Sequence, residues 1–162
     1  MAEAAPDIDV VVVNWNGRAM LDSCLEHLAR QTVPHRVIVV DNGSTDGTVE
    51  HLAEAWPAAD VLPMTENLGF GRANNVGVEH GSAPYVVLVN NDVDAEPEFL
   101  ERVVAPLRAD ERCGAVAALT LQPGNGLVDQ VGVSLDAGLC GYTRGIDQEP
   151  GALVPGPLAA PC

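Results

Sequence analysis

The sequence predicts an α/β fold: a mostly parallel central sheet, Rossmann-like, with helices on both faces. Three observations predict it. Short valine-rich apolar runs alternate with segments of helical periodicity. The spacers between successive runs are helix-sized, as parallel strands require. Several of the runs stop abruptly at polar residues, and open α/β sheets bind their ligands outside the carboxyl ends of their strands.

Ile8 to Val13 is a continuous β-branched run and reads as a buried central strand. It breaks at the loop signal Asn14-Trp15-Asn16-Gly17. Leu21, Cys24, Leu25 and Leu28 then recur at helical spacing, predicting a helix from about Arg18 to Arg30, and Pro34 ends the unit. Val37 to Val40 is a second strand that stops at Asp41. The polar turn Asn42 to Gly47 leads into a helix with Val49, Leu52, Ala53 and Trp56 on its apolar face, closed by Pro57. Val61 and Leu62 suggest a short third strand. Asn67 to Asn75 opens a third helix ending near Gly81.

Tyr85 to Val89 is the fourth strand, and Asn90-Asn91-Asp92-Val93-Asp94 follows directly. Pro97 suits an early helical position. Leu100, Val103, Val104 and Leu107 give the fourth helix its core face, with Pro106 expected to kink or shorten it. After Ala109 the pattern changes. Ala115 to Leu121 and Val128 to Leu135 read as strands about a Gly124-Asn125-Gly126 turn. From Ala137 the chain is rich in glycine and proline.

With 162 residues and an apolar fraction of 47%, the chain is long enough for one domain with a real core. It carries 23 acidic residues against 8 basic ones, all arginine, for a net charge of -15. That balance argues against nucleic acid and against adhesion to an anionic membrane. An anionic ligand would need local help from a metal, an arginine or a helix N-terminus. Cys24, Cys113, Cys140 and Cys162 are scattered, so reduced thiols are expected, with Cys24 a small buried hydrophobe. The stretch Met1 to Asp9 has no signal-peptide pattern, and no apolar run approaches the roughly 20 residues of a membrane span. A cytoplasmic chain is expected. The histidines His27, His35, His51 and His80 show no ligand spacing and read as surface residues.

The strand ends carry the chemistry. Asp41 either caps its turn or accepts a hydrogen bond from a base imide or ribose hydroxyl. Asn14 and Asn16 are either turn formers or contacts to a base edge. Asn90, Asn91, Asp92 and Asp94 read either as a loop with a capping Asp or as a hard-cation site that offsets charge on a diphosphate. In an extended segment Asp92 and Asp94 face the same side; if the chain turns after Asp92, only Asp92 is a direct ligand. Arg72, in the first turn of the third helix beside Gly69 and Gly71, is either solvated or a phosphate contact.

Four stretches occur together and in order: V-V-N-W-N-G (Val12 to Gly17), V-I-V-V-D-N-G-S-T-D-G-T (Val37 to Thr48), E-N-L-G-F-G-R-A-N-N-V-G (Glu66 to Gly77) and L-V-N-N-D (Leu88 to Asp92). They resemble glycosyltransferase family 2, and most of all its bacterial rhamnosyltransferase-like members of cell-wall or polysaccharide biosynthesis. The resemblance implies a GT-A fold and inverting transfer of a sugar from a dTDP-, UDP- or GDP-sugar to a glycan or lipid-linked acceptor, with Mg²⁺ or Mn²⁺. It implies nucleotide-sugar contacts from Asn14, Asn16, Asp41, Asn67, Gly69, Arg72, Asn74, Asn91 and Asp92. Asp92 matches the last Asp of the family's D-x-D motif, whose first position here is Asn90, and Asp94 is the candidate second metal ligand.

The family continues with an acceptor-binding half that carries the general base. Asp129, Asp136, Asp147 and Glu149 match no such motif, so no base is assigned. The chain reads as a single, incomplete domain: a nucleotide-sugar-binding core over 8–109 and the start of an acceptor-side region over 110–162. In a full-length enzyme it would sit at the inner face of the membrane. Binding without transfer is the alternative function. A nucleotidyltransferase would want a basic, glycine-rich loop after the first strand, which Asn14 to Gly17 does not supply. Uncovered apolar surface in an incomplete sheet is expected to favour self-association into a homo-oligomer.

Overall fold

A computed structural model describes residues 6–135 and 141–152. The sequence readings at Asp136, Cys140 and Cys162 lie outside the described residues. Two compact units emerge, Met1–Val104 and Ala105–Cys162.

The first unit is built on four parallel strands: β1 (Ile8–Asn14), β2 (Arg36–Asp41), β3 (Asp60–Pro63) and β4 (Tyr85–Asn90). Their order is β3-β2-β1-β4. The chain therefore winds outward from β1 to β3, then crosses back to place β4 on the other side of β1. The register sets Asn14 opposite Asp41 and Val13 opposite Asn90, so three polar strand ends lie side by side at this reversal.

Helices α1 (Arg18–Leu28), α2 (Thr48–Ala55), α3 (Phe70–His80) and α4 (Phe99–Ala109) connect or follow the strands. All seven residues of β1 are buried, because both faces are covered. On one face Val10 and Val12 join Leu21, Cys24, Leu25 and Leu28 of α1, Leu52 of α2, Val87 and Val89 of β4, and Leu100 and Val104 of α4. On the other, Val11, Val13, Ile38 and Val40 meet Ala73 of α3. Gly77 lets α3 approach closely: a Cβ there would lie 2.4 Å from Val11 Cγ1. Among the described residues β4 is an edge strand, and its Leu88 is 54% exposed.

The opposite end of β1 is tied by a buried carboxylate. Asp9, 1% exposed, accepts Arg36 Nε and one terminal nitrogen at 2.8 and 2.9 Å. It also accepts the backbone N–H groups of Ser82 and Ala83 at 2.7 and 2.9 Å. Burial alone would raise the Asp9 pKa. The hydrogen bonds from Arg36, Ala83 and Ser82 outweigh it and hold the carboxyl below its ordinary value.

Several elements differ from the sequence-based expectation. α4 starts at Phe99, not near Pro97, because Gln31 Oε1 captures the Leu100 N–H at 2.9 Å and fixes the start there. Pro106 lies inside α4, which ends at Ala109, and its carbonyl accepts the Asp110 N–H at 3.1 Å. Ala53 is exposed, while Leu52 of the expected face is buried together with Thr48. His27 and His51 are half-buried and each faces a carboxylate, Asp94 at 3.3 Å and Asp22 at 2.7 Å.

In the second unit, only Thr120–Leu121 (β5) of the expected Ala115–Leu121 strand is paired. The Val128–Leu135 run splits into β6 (Val128–Gln130) and β7 (Val133–Leu135), the latter pairing with β8 (Gly141–Thr143). The break falls at Gly132, which has a φ of +84° that ends extended pairing there. A 3₁₀ turn spans Pro150–Ala152. No helix among the described residues is long and apolar enough to cross a membrane.

Two outcomes follow. Because the Asp9 carboxyl has a lowered pKa in the folded state, it contributes stability above its unfolded pKa. That contribution is lost as pH falls through its folded pKa, below 3.8. Asp9→Ala is expected to cost about 3 kcal/mol at neutral pH. It should also flatten the acid limb of a urea-midpoint-against-pH curve; an unchanged acid limb would exclude this role. Gly77→Ala gains about 1 kcal/mol of helix propensity, but overpacking against Val11 costs about 1–3 kcal/mol. A net loss of stability is expected in urea titration, and a stabilised variant would refute the close approach.

Candidate functional site

The carboxyl ends of β1, β2 and β4 are joined by side-chain amides. Asn14 is fully buried. Its Nδ2 lies 3.3 Å from Asp41 Oδ1, 3.3 Å from Ser44 Oγ and 3.4 Å from Thr48 Oγ1. Its Oδ1 accepts Asn91 Nδ2 at 2.7 Å. Asp41 is also buried, and its Oδ2 accepts the Ser44 N–H at 3.0 Å. Asn42 continues the chain of amides. Its N–H reaches the Asn14 carbonyl at 2.7 Å, its Nδ2 donates to Asn67 Oδ1 at 3.0 Å, and its Oδ1 accepts the Leu68 N–H at 2.8 Å.

The loops are interlocked in the same way. Asn16 adopts a left-handed φ of 51° and accepts the Thr45 N–H at 2.8 Å, while its own N–H donates to Ser44 Oγ at 2.9 Å. Asp46 takes the Thr48 hydroxyl and the Thr48 and Arg18 N–H groups. The Thr48 hydrogen bond is the largest cause of its lowered pKa. Gly43, with a φ of +79°, lies against the Glu66 backbone, where a Cβ would come within 2.8 Å of the carbonyl carbon. Nothing larger fits this crossing of loops.

Above this floor opens a cleft of about 360 Å³ lined by Val13, Trp15, Met20, Asn42, Asn67, Phe70, Asn90, Asn91 and Asp92. Its polar wall is amides plus one carboxylate. Its lips are apolar: Trp15 is 58% exposed, Phe70 62% and Met20 52%. Exposed aromatic faces at a cleft suit stacking on a flat ring. Asp92 is exposed and makes no hydrogen bond or ion pair among the described residues.

Of the residues singled out in the sequence, Asn67, Asn90, Asn91 and Asp92 line this cleft, and Gly69, with a φ of +80°, turns the chain into α3 beside Asn67. Asn14, Asn16 and Asp41 lie in the network beneath it. Asn74 is buried and donates to the Phe70 carbonyl at 2.9 Å. Arg72 is exposed outside the cleft lining.

Asp94 is not brought together with Asp92. The chain turns at Asn91-Asp92, with the Val93 N–H on the Asn90 carbonyl at 3.3 Å, so alternation along an extended strand does not apply. Asp94 points to α1, where it accepts Ser23 Oγ at 2.8 Å beside His27. Among the described residues no group of three or more His, Cys, Asp or Glu side chains is placed to hold a metal ion.

Trp15, Met20, Asn42 and Phe70 were missed in the sequence. The available signal was that two of the chain's few aromatics sit in loop or helix-start stretches, outside any apolar periodicity. Cys24 lies in the core, and its thiol is pushed up to about 12 by burial first and the charges of Asp94 and Asp92 second.

A doubly covered parallel sheet with a polar cleft at its topological reversal defines an α/β ligand-binding domain. Residues 9–132 match Glycosyl transferase family 2, and the chain belongs to that family. Among curated relatives, glycosyltransferase AglE of Haloferax volcanii is 30% identical over 113 residues, 66% of this chain and 37% of its own length. An N-acetylglucosaminyl-diphospho-decaprenol L-rhamnosyltransferase of Mycobacterium tuberculosis is 30% identical over 128 residues, 72% of this chain and 42% of its own. The chain thus spans about two fifths of the length of these relatives.

A solved mannosyltransferase of Pyrobaculum calidifontis, in complex with GDP-Man and Mn²⁺, is 26% identical with a TM-score of 0.60, covering 75% of this chain and 37% of that one. S. aureus TarS in complex with UDP-GlcNAc superposes with a TM-score of 0.65 at 24% identity, covering 75% of this chain and 36% of that one. The fold is that of the GT-A glycosyltransferases.

Native protein treated with iodoacetamide is expected to leave Cys24 unmodified, at least about a hundredfold slower than after unfolding, because the thiolate is the nucleophile. Peptide mapping that finds Cys24 alkylated at the native rate of an exposed thiol would contradict its placement.

Proposed function

We propose that this chain is the donor-binding part of an inverting glycosyltransferase, with the nucleotide-sugar core over 8–109 and acceptor-side structure beginning in 110–162. The observation that carries the reading is a carboxylate, Asp92, that has no partner among the described residues and is placed among amides and exposed aromatic rings at the carboxyl ends of the strands. Family membership supports it, as does a neighbour of the same fold solved with GDP-Man and Mn²⁺.

The donor is a nucleotide diphosphate sugar. Its base lies against Trp15, the polar edge of that base meets the amide nitrogen of Asn67, and its diphosphate lies toward Asp92. Asp92 fits a Mg²⁺ or Mn²⁺ ion, because such ions take one or two protein carboxylates and complete their shell with water and phosphate oxygens. Bound there, the metal supplies charge neutralisation to the diphosphate leaving group. Asn90 and Asn91 contribute neutral oxygens on the same turn.

In the transfer, an acceptor hydroxyl oxygen bonds to the anomeric carbon from the face opposite the diphosphate, and the bond from that carbon to the diphosphate breaks. The hydroxyl proton passes to a general base. No described residue is assigned that role. The acceptor is a glycan or lipid-linked hydroxyl, as the relatives' names suggest.

UDP, dTDP and GDP titrated calorimetrically with and without Mn²⁺ are expected to reveal metal-dependent binding of one of them. Asp92→Ala should weaken it by about tenfold or more, the scale of one lost charged contact. No heat from any of the three with Mn²⁺ present would defeat the proposal.

A further inference from the structure

The amide of Asn14 has no solvent-facing surface, and both of its ends are occupied. It joins two groups that differ in chemistry. On one side Nδ2 meets Asp41, Ser44 and Thr48 at the end of β2 and the start of α2. On the other, Oδ1 holds Asn91 at 2.7 Å, the residue immediately before Asp92 in the turn after β4. Among the described residues β4 pairs with β1 alone.

A second observation points to the same bond. Gly17 lies directly against it: an added Cβ would sit 2.5 Å from Asn91 Nδ2 and 2.9 Å from Asn14 Oδ1. The φ of Gly17 is -123°, so no left-handed backbone requires a glycine there. What requires it is space over the Asn14–Asn91 hydrogen bond. A buried amide with both ends used, roofed by a residue without a side chain, is a joint between loops.

We infer that Asn14 is a positioning residue. It does not touch ligand; through Asn91 it fixes the turn that presents Asp92 to the cleft, and it couples that turn to the Asp41 side of the network. The joint itself is independent of any ligand. Its purpose rests on the donor-binding reading.

The test uses the full chain with Asn14→Ala and, separately, Gly17→Ala. The second variant keeps the Asn14 side chain and crowds its hydrogen bond to Asn91, so it serves if the first fails to fold. In ligand-free protein, hydrogen exchange read by mass spectrometry is expected to be about tenfold faster over 90–94, the scale of one buried hydrogen bond. Exchange over Val10–Val13 and Val37–Val40 should stay slow. Unchanged exchange over 90–94 in a folded variant overturns the joint.

The second readout is binding, with Mn²⁺, of whichever of UDP, dTDP and GDP the unmodified chain takes. Asn14→Ala is expected to weaken it about tenfold, and adding Asp92→Ala on that background should cost less than about twofold more, because both act through one carboxylate. Fully additive losses overturn the positioning role. If the unmodified chain binds none of UDP, dTDP and GDP with Mn²⁺, the donor-binding reading fails, while the exchange result still decides the joint.

Discussion

Everything in the first unit depends on the complete burial of β1. A strand covered on both faces and paired on both edges can present no polar side chain to water, yet β1 carries Asp9 and Asn14 near its two ends. Each must be satisfied inside the protein, since an unpaired buried polar group costs about 1–3 kcal/mol and a charge more. Asp9 is met by Arg36 and two backbone amides, which ties the α3–β4 connection to β2. Asn14 is met by Asp41, Ser44, Thr48 and Asn91, which ties the loops after all three strands. The same constraint thus locks both ends of the sheet, once with a charge and once with a neutral amide.

The choice of amides at the cleft end suits the chemistry proposed there. A chain with a net charge of -15 repels an anionic donor at long range. Further carboxylates along the cleft wall would deepen that field at the place where a diphosphate must lie. Asn42, Asn67, Asn90 and Asn91 supply donors and acceptors without charge. The negative charge that remains on the wall is the one a divalent cation would use.

Most of this architecture was legible in the sequence because two signals were strong and local. β-branched runs marked the four parallel strands, and 3.6-residue periodicity marked Leu21, Cys24, Leu25 and Leu28 as one helix face. Motifs in order pointed to the family. What was not legible depended on three-dimensional contacts. Asn14 and Asp41 read as ligand contacts because strand ends usually face the ligand; their depth follows from the α1 and α2 loops folding over them. Ala115 to Leu121 looked like a strand by composition, but a strand needs a partner, and the β6 ladder lasts three residues before Gly132. Trp15 and Phe70 carry no periodic signal, so only the loop geometry exposes them at the cleft.

The separation of Asp92 from Asp94 illustrates the same point at the site itself. Two acids one residue apart look like a metal pair, and alternation in a strand would make them one. The turn at Asn91-Asp92 separates them, with Asp92 lining the cleft and Asp94 engaged by Ser23 and facing His27 on α1. This costs a potential second ligand but anchors the far end of the turn. With Asn91 held by Asn14 on one flank and Asp94 held by α1 on the other, Asp92 is the free side chain between two fixed points. A lone carboxylate on a flexible loop would spend much of its metal affinity on ordering itself; one held between two anchors does not. In the donor-binding reading proposed above, rigidity of the turn would stand in for a second carboxylate.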